Sequence, residues 1–206
     1  MLNIALPKGR LGERVQKLFA DAGYIFNGLD NPGRKLIFNN DLNNMRCFRV
    51  KPFDVPVYVE RGAADIGVAG RDILLERNPD VYELMDLNTG LCKMAVAALN
   101  NFHDNPEKVL RVATEFPEIA KKYYASLGRD IDIICLRGSV EIAPVLDLAD
   151  VIVDIVETGS TLKANNLKIV SVIHDLSARL IANKSAYKFK SNLINEIMKG
   201  LNNNNS

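Results

Sequence analysis

VIVDIVETGSTL, residues 151–162, opens as an apolar run, meets an acid at Asp154, and four residues later turns through Thr158-Gly159-Ser160-Thr161. A strand that gives way to a glycine turn and then to the helix-compatible LKANN (162–166) is the unit from which α/β folds are built. In open parallel sheets ligands bind beyond the carboxyl ends of the strands, which puts the Asp154 carboxylate near that edge. Thr158 to Thr161 offer successive backbone N–H groups, three hydroxyls and a glycine that lets the chain curl, the makings of a phosphate nest. An acid at this spacing suits the hydroxyls of a sugar, or a metal held by them, so the two together point to a phosphorylated sugar. The same four residues also suit an ordinary turn capped by Thr or Ser, and spacing alone leaves both readings open.

Working outward, ADVIVDIV (149–156) follows DIIC (132–135), with VEIAPVLDL (140–148) as the helix between them and Pro144 in its first turn or kinking it. LRVATEF (110–116) reads as a strand, and Pro117 opens a helix to about Leu127. CKMAVAAL (92–99) has the near-continuous apolar pattern of a strand buried on both faces. At the start, LNIALP (2–7) precedes a helix to about Ala22, whose Leu11, Val15, Leu18, Phe19 and Ala22 fall three and four apart. KLIFN (35–39) and MRCFRV (45–50) flank an Asn-rich turn, and FDVPVYVERG (53–62) is a short helix that Asp54 can cap. ADIGVAG (64–70) is a strand and RDILLER (71–77) its helix. KIVSVIHDLS (168–177) leads to RLIAN (179–183) and a last helix over 185–200. Repeated strand–helix alternation predicts α/β architecture with largely parallel sheets.

The 206 residues suffice for one large or two small domains with a sizeable core. A net charge of +1 provides no overall field favouring nucleic acid or anionic membrane. No apolar run reaches the length of a membrane span, and MLNIALPKGR lacks the features of a secretory signal. Cys47, Cys92 and Cys135 form no CxxC pair, so the expectation is a reducing, cytoplasmic setting, with Cys92 and Cys135 as core thiols. His103 lies in a polar loop and His174 beside Asp175; neither joins a catalytic or metal-ligating cluster. Tyr123-Tyr124 lacks the basic interleaving of a nucleic-acid platform, and KFK (188–190) reads as a solvated helix face.

The run from GSVEIAP (138–144) through LADVIVDIVETGSTL (148–162) closely resembles the signature of the ATP phosphoribosyltransferases. LPKGRL (6–11), GRKLIF (33–38), KPFDVPVYVERGAADIGVAGRDIL (51–74) and SARLIANKSAYK (177–188) are similar to that family too, in the family's order and over nearly the whole chain. Two positions depart from the pattern. The signature has glycine where this chain has Asp147, and Ala-Asn-Gly-Leu reads Ala-Asn-Asn-Leu, with Asn166. Asn is the residue best able to replace glycine in a left-handed conformation. Asp147 is expected to put a side chain, and a charge, near the phosphate loop.

The resemblance implies transfer of the ribosyl group of phosphoribosyl pyrophosphate to N1 of the adenine of ATP. Pyrophosphate is released, and Mg2+ is carried by the pyrophosphate groups rather than by a dedicated protein site. The attacking nitrogen already has a lone pair and the leaving group is metal-bound, so positioning and cations opposite the developing charge carry the chemistry. On the matching motifs, Thr158, Gly159, Ser160 and Thr161 would hold the 5-phosphate, with Asp154 and Glu141 at the ribose. Arg10, Arg34 and Lys51 would stabilise departing pyrophosphate, Lys51 as a point charge where the family more often has an arginine fork. Lys8, Gly9, Gly67, Gly70 and Arg71 would line the ATP and polyphosphate side, although tight strand packing explains Asp65-Ile66-Gly67 equally well.

The implied fold is a two-domain, type II periplasmic-binding-protein-like arrangement with mostly parallel sheets and a cleft between domains. Residues 1–90 with 178–206 would form the first domain, and 91–177 the second, carrying the phosphoribosyl-binding loop. The length suits the family's short form. That form implies a histidyl-tRNA-synthetase-like regulatory subunit in a hetero-octamer, catalytic-chain homodimers, and no tight histidine binding by this chain alone. A solute-binding module on the same scaffold, or another enzyme on it such as a prephenate dehydratase, are the alternatives. The first would bind without turnover; the second gives no reason for an acid followed by TGST.

Overall fold

The computed structural model describes residues 1–203. In chain order the elements are β1 (Leu2–Pro7), α1 (Arg10–Asp21), β2 (Ile37–Asn40), β3 (Met45–Val50), a 3-10 turn (Pro52–Asp54), α2 (Val55–Glu60), β4 (Ile66–Gly70), α3 (Arg71–Arg77) and β5 (Tyr82–Asp86). Then follow β6 (Cys92–Leu99), β7 (Leu110–Thr114), α4 (Pro117–Ser126), β8 (Ile131–Cys135), α5 (Ile142–Val145), β9 (Val151–Val156), α6 (Ser160–Ala164), β10 (Leu167–Leu176), β11 (Ala178–Ala182) and α7 (Lys184–Asn203). They form two compact units. One holds Met1–Leu74, Asn78–Gly90 and the segment from Ser177 onward; the other holds Leu75–Arg77 and Leu91–Leu176.

The first unit is built on a six-stranded sheet in the order β2-β3-β1-β4-β11-β5. Strand alternation sends side chains to two separate cores. Leu2, Ile4 and Leu6 of β1, Ile66 and Val68 of β4, and Leu180 of β11 pack with Val15 and Phe19 of α1 and Ile194 and Ile197 of α7. Ala5, Ala69 and Ile181, on the opposite face of the same strands, pack with Val55 and Val59 of α2. The central strands are thus buried on both sides, which accounts for their unbroken apolar sequences. Two glycines set how α1 leaves β1. Gly9 adopts φ +82°, ψ −165°, a region only glycine occupies freely. A β-carbon on Gly12 would lie 1.9 Å from the Pro7 carbonyl oxygen.

The second unit carries a five-stranded sheet in the order β10-β6-β9-β7-β8. Ala95, Ala97, Ala113 and Ile152 of its strands pack against Val140, Ala143 and Leu162. Small residues on the strands let the short helices α5 and α6 lie close to the sheet.

The α/β reading holds, but the sheets are mixed rather than largely parallel. β1 runs parallel to β3 and β4, and β7 to β8 and β9. The β2–β3, β4–β11, β5–β11, β6–β9 and β6–β10 pairs are antiparallel. Periodicity identifies strands but not their direction, which the connections decide. The turn at residues 41–44 is too short for a crossover, so β2 and β3 must form a hairpin. β11 follows β10 after Ser177 alone, with no helix to reverse the chain.

Other local expectations also change. Residues 53–62 split into a 3-10 turn and α2, and Asp54 makes no side-chain capping bond. α5 spans only Ile142–Val145. Cys135 is exposed, because it ends the edge strand β8; Cys92 is half-buried and Cys47 is buried. The KFK segment is not merely solvated: Lys190 Nζ bonds both carboxylate oxygens of Asp65 at 2.8 Å and the Met1 carbonyl at 3.1 Å. Lys190 is also where α7 kinks, at φ −124°, ψ 21°. Among the described residues no helix is long and apolar enough to cross a membrane.

Candidate active site

Because β7, β8 and β9 are parallel, their carboxyl ends share one edge of the second sheet. Asp154 lies near the end of β9, one residue beyond the Thr114–Val153 pair that ends its register with β7. Its Oδ1 accepts the Ile155 N–H at 2.8 Å. Burial, followed by the charges of Glu141 and Glu115, pushes its titration up to about 6, against the lowering effect of that hydrogen bond. Glu141, immediately before α5, is therefore electrostatically coupled to Asp154, as is Glu115 in the segment after β7. The Glu141 and Glu115 carboxylates thus raise the proton affinity of Asp154.

Two residues past β9 the chain enters the Thr158–Thr161 turn. Gly159 takes a left-handed conformation, φ +74° and ψ 6°, immediately before α6. The Thr158 and Ser160 hydroxyls lie 2.9 Å apart, and Thr158 Oγ1 accepts the Ser160 N–H at 3.3 Å. The Gly159 carbonyl accepts the Lys163 N–H at 3.1 Å. The amides heading α6 have no carbonyl within the helix to receive them, so they and the hydroxyls form a cluster of donors suited to an anion. A groove of about 560 Å³ beside the turn is lined by Val156, Thr158, Gly159 and Leu162 together with Lys93, Lys163 and Lys168. The lysines give it a cationic rim.

The two departures from the signature are both left-handed, Asp147 at φ +55° and Asn166 at φ +59°. Asn166 adopts the conformation expected of a glycine substitute. Asp147 does not carry its charge toward the phosphate turn. Its Oδ1 and its main-chain carbonyl each accept from Arg111 at 2.8 Å, and Arg111 also bonds Asp150. Arg111 is the second residue of β7 and Asp150 precedes β9, so this cluster marks the amino ends of the strands. Asp154 lies roughly 13 Å further along β9.

The remaining candidates belong to the first unit and gather at the carboxyl edge of its parallel strands. Pro7 pairs with Val50, and the Lys8 N–H donates to the Val50 carbonyl at 2.8 Å, bringing Lys8, Gly9 and Arg10 beside Lys51. The β2–β3 register extends through the Arg49 N–H to the Leu36 carbonyl at 3.0 Å, which draws Arg34 toward the same end of β3. Gly70 closes β4 and Arg71 opens α3, where the Arg71 N–H donates to the Ser177 carbonyl at 3.0 Å. Gly67 is set apart: it pairs with Ala5 inside the sheet, and a β-carbon there would lie 2.8 Å from Val59. Helix packing accounts for this glycine. Sequence reading passed over Glu115, Thr114 and Gly12. A polar residue closing the apolar strand LRVAT and the second glycine of KGRLG were their only signals.

A family model for ATP phosphoribosyltransferase (HisG) matches residues 51–203. The chain belongs to the ATP phosphoribosyltransferase family. It is 54% identical over 202 residues to an ATP phosphoribosyltransferase of Brachyspira hyodysenteriae, spanning 98% of both chains. An ATP phosphoribosyltransferase of Thermoanaerobacter is 49% identical over 197 residues, or 96% of this chain and 92% of the relative. Among solved structures, the ATP phosphoribosyl transferase (HisG:HisZ) complex from Thermotoga maritima contains a chain similar at a TM-score of 0.87 and 36% identity, covering 100% of this chain and 98% of that one. An amino-acid ABC transporter extracellular-binding protein from Bacillus subtilis aligns at a TM-score of 0.61 and 14% identity, over 98% and 90% of the two chains. That likeness concerns fold alone, and it puts the chain among periplasmic-binding-protein-like folds.

Proposed function

We propose that the chain transfers the 5-phosphoribosyl group of phosphoribosyl pyrophosphate to N1 of the adenine of ATP, the first step of histidine biosynthesis. The bond between C1 of the ribose and the pyrophosphate oxygen breaks, pyrophosphate leaves with the electron pair, and the N1 lone pair forms the new bond. The observation that carries this reading is the 54% identity over nearly the full length of a family member. Local support comes from a strand ending in Asp154 that leads directly into the donor-rich Thr158–Thr161 turn.

In this reading the second unit, close to residues 91–177, binds the sugar phosphate. Thr158, Gly159, Ser160 and Thr161 hold the 5-phosphate, and Asp154 and Glu141 receive the ribose hydroxyls. Arg10, Arg34 and Lys51 act as the cations opposite departing pyrophosphate. Lys8, Gly9, Gly70 and Arg71 serve ATP and its polyphosphate, and Gly67 supports them through packing. Mg2+ enters as part of the substrate, bound to pyrophosphate oxygens. Among the described residues no three His, Cys, Asp or Glu side chains come together to hold a metal ion. The chain works in the cytoplasm as the short-form catalytic subunit, dimeric, in a hetero-octamer with a histidyl-tRNA-synthetase-like regulatory chain. The resemblance to the HisG:HisZ complex supports that assembly.

The test combines ATP, phosphoribosyl pyrophosphate and Mg2+ with the chain, alone and with its regulatory partner, and follows adenine absorbance together with pyrophosphate release. Signal requiring both substrates is expected. Binding of phosphoribosyl pyrophosphate without turnover in either preparation would favour a ligand-binding module and overturn the proposal.

A further inference from the structure

Thr114, the last residue of β7, is fully buried and joins three strand ends. Its hydroxyl donates to the Val153 carbonyl of β9 at 2.7 Å and accepts the Phe116 N–H at 2.8 Å. Its own carbonyl accepts the Leu136 N–H at 3.0 Å, where β8 gives way to the segment leading to Glu141. The β7–β9 register stops at the Thr114–Val153 pair, and Pro117 offers no N–H beyond it. The hydroxyl therefore supplies a donor that the ladder has ceased to provide, at the residue immediately before Asp154. By holding the Phe116 amide it also sets the turn that carries Glu115.

We infer that Thr114 is a positioning residue for the phosphoribosyl donor: its hydroxyl fixes the main chain from which the Asp154 carboxylate projects, without touching substrate. The inference rests on the sugar-binding role proposed above for Asp154. Other polar residues at this edge are half-buried or exposed and able to adjust; Thr114 is buried, its hydroxyl is engaged on two sides, and both of its partners are main-chain groups. A small displacement there moves the strand end itself.

Steady-state kinetics of the assembled enzyme test this with Thr114→Val, which keeps the shape and removes the donor, and Thr114→Ser, which keeps the donor. In Thr114→Val the KM for phosphoribosyl pyrophosphate is expected to rise roughly fivefold to tenfold, the worth of one buried hydrogen bond. The KM for ATP should stay within about twofold, and Thr114→Ser should restore the wild-type pattern. A role in stability alone would lower the folded fraction and act on both substrates alike. Equal changes for both substrates, or a Val variant matching wild type, would overturn the inference. Should Thr114→Val fail to fold, Thr114→Cys, of similar size and weak donor strength, carries the same comparison. Asp154→Asn measured alongside separates the two levels: if it leaves phosphoribosyl pyrophosphate binding intact, the sugar-binding reading falls and this inference with it.

Discussion

Replacing Asp154 by Asn should make the protein more stable at neutral pH and, under the role proposed for it, weaken binding of the sugar phosphate. The carboxyl is pushed up from its ordinary 3.8 to about 6, chiefly by its partial burial and secondarily by the charges of Glu141 and Glu115. Since the folded midpoint lies above the unfolded one, the native state holds an extra proton between them, and stability falls as pH rises from about 4 to about 6. Above that window the ionised carboxylate costs the fold about 3 kcal/mol, an upper figure because neighbouring charges relax. Asn keeps an oxygen to accept the Ile155 N–H, so the local bond survives. For a chain of this size the relief corresponds to a melting temperature raised by roughly 5 °C or more. The assay is thermal melting of both proteins between pH 4 and 8. The variant should gain its advantage above pH 6 and lose it as the wild-type carboxyl becomes protonated. An advantage that is absent at pH 7.5, or one of equal size at every pH, would refute the reasoning.

Three further outcomes follow from the packing. Gly12→Ala should cost about 2–3 kcal/mol in urea unfolding, since its β-carbon would meet the Pro7 carbonyl at 1.9 Å; parental stability would contradict that contact. Lys190→Met should cost about 2 kcal/mol, because the Asp65 side chain is only 10% exposed and keeps just the Asn3 amide, while the 38% exposure of Lys190 limits the loss. With a thiol reagent Cys135 should react first, Cys92 more slowly, and Cys47 only on unfolding, its thiol being buried and pushed up to about 12; early labelling of Cys47 would speak against this core.

Repeated strand–helix patterning was sufficient to read the α/β class, because residues such as Val151 to Val153 are apolar whichever neighbour they face. Strand direction was hidden, since a hairpin such as β2–β3 and a crossover leave the same periodicity. β5 escaped notice for a related reason: Tyr82 and Glu83 are exposed and the rest of YELMD is half-buried, so it shows little core signature. At the candidate site, local order in sequence was readable wherever one loop carries the residues, as from Asp154 to Thr161. The closeness of Glu115 to Asp154 was not, because it comes from the parallel register between β7 and β9. Asp147 misled for the same reason. Seven positions in the chain separate it from Asp154, but the first half of β9 runs between the two, and Arg111 holds Asp147 at the far end of that strand.

The first unit is closed by a strand that is made late. β11 lies between β4 and β5, and α7 supplies Ile194 and Ile197 to the core under β1. During synthesis, residues 1–90 must wait about another 90 residues, on the order of 10 s, before β11 can complete that sheet. The second sheet needs only a continuous stretch, Leu91–Leu176, and can form in the interval. The sheet begun first is therefore the one whose strands are all made last. A nascent chain halted before Ala178 would hold a finished second sheet, a first sheet with β4 open along one edge, and β5 with no strand to pair with, a form exposed to misassociation until its last thirty or so residues emerge.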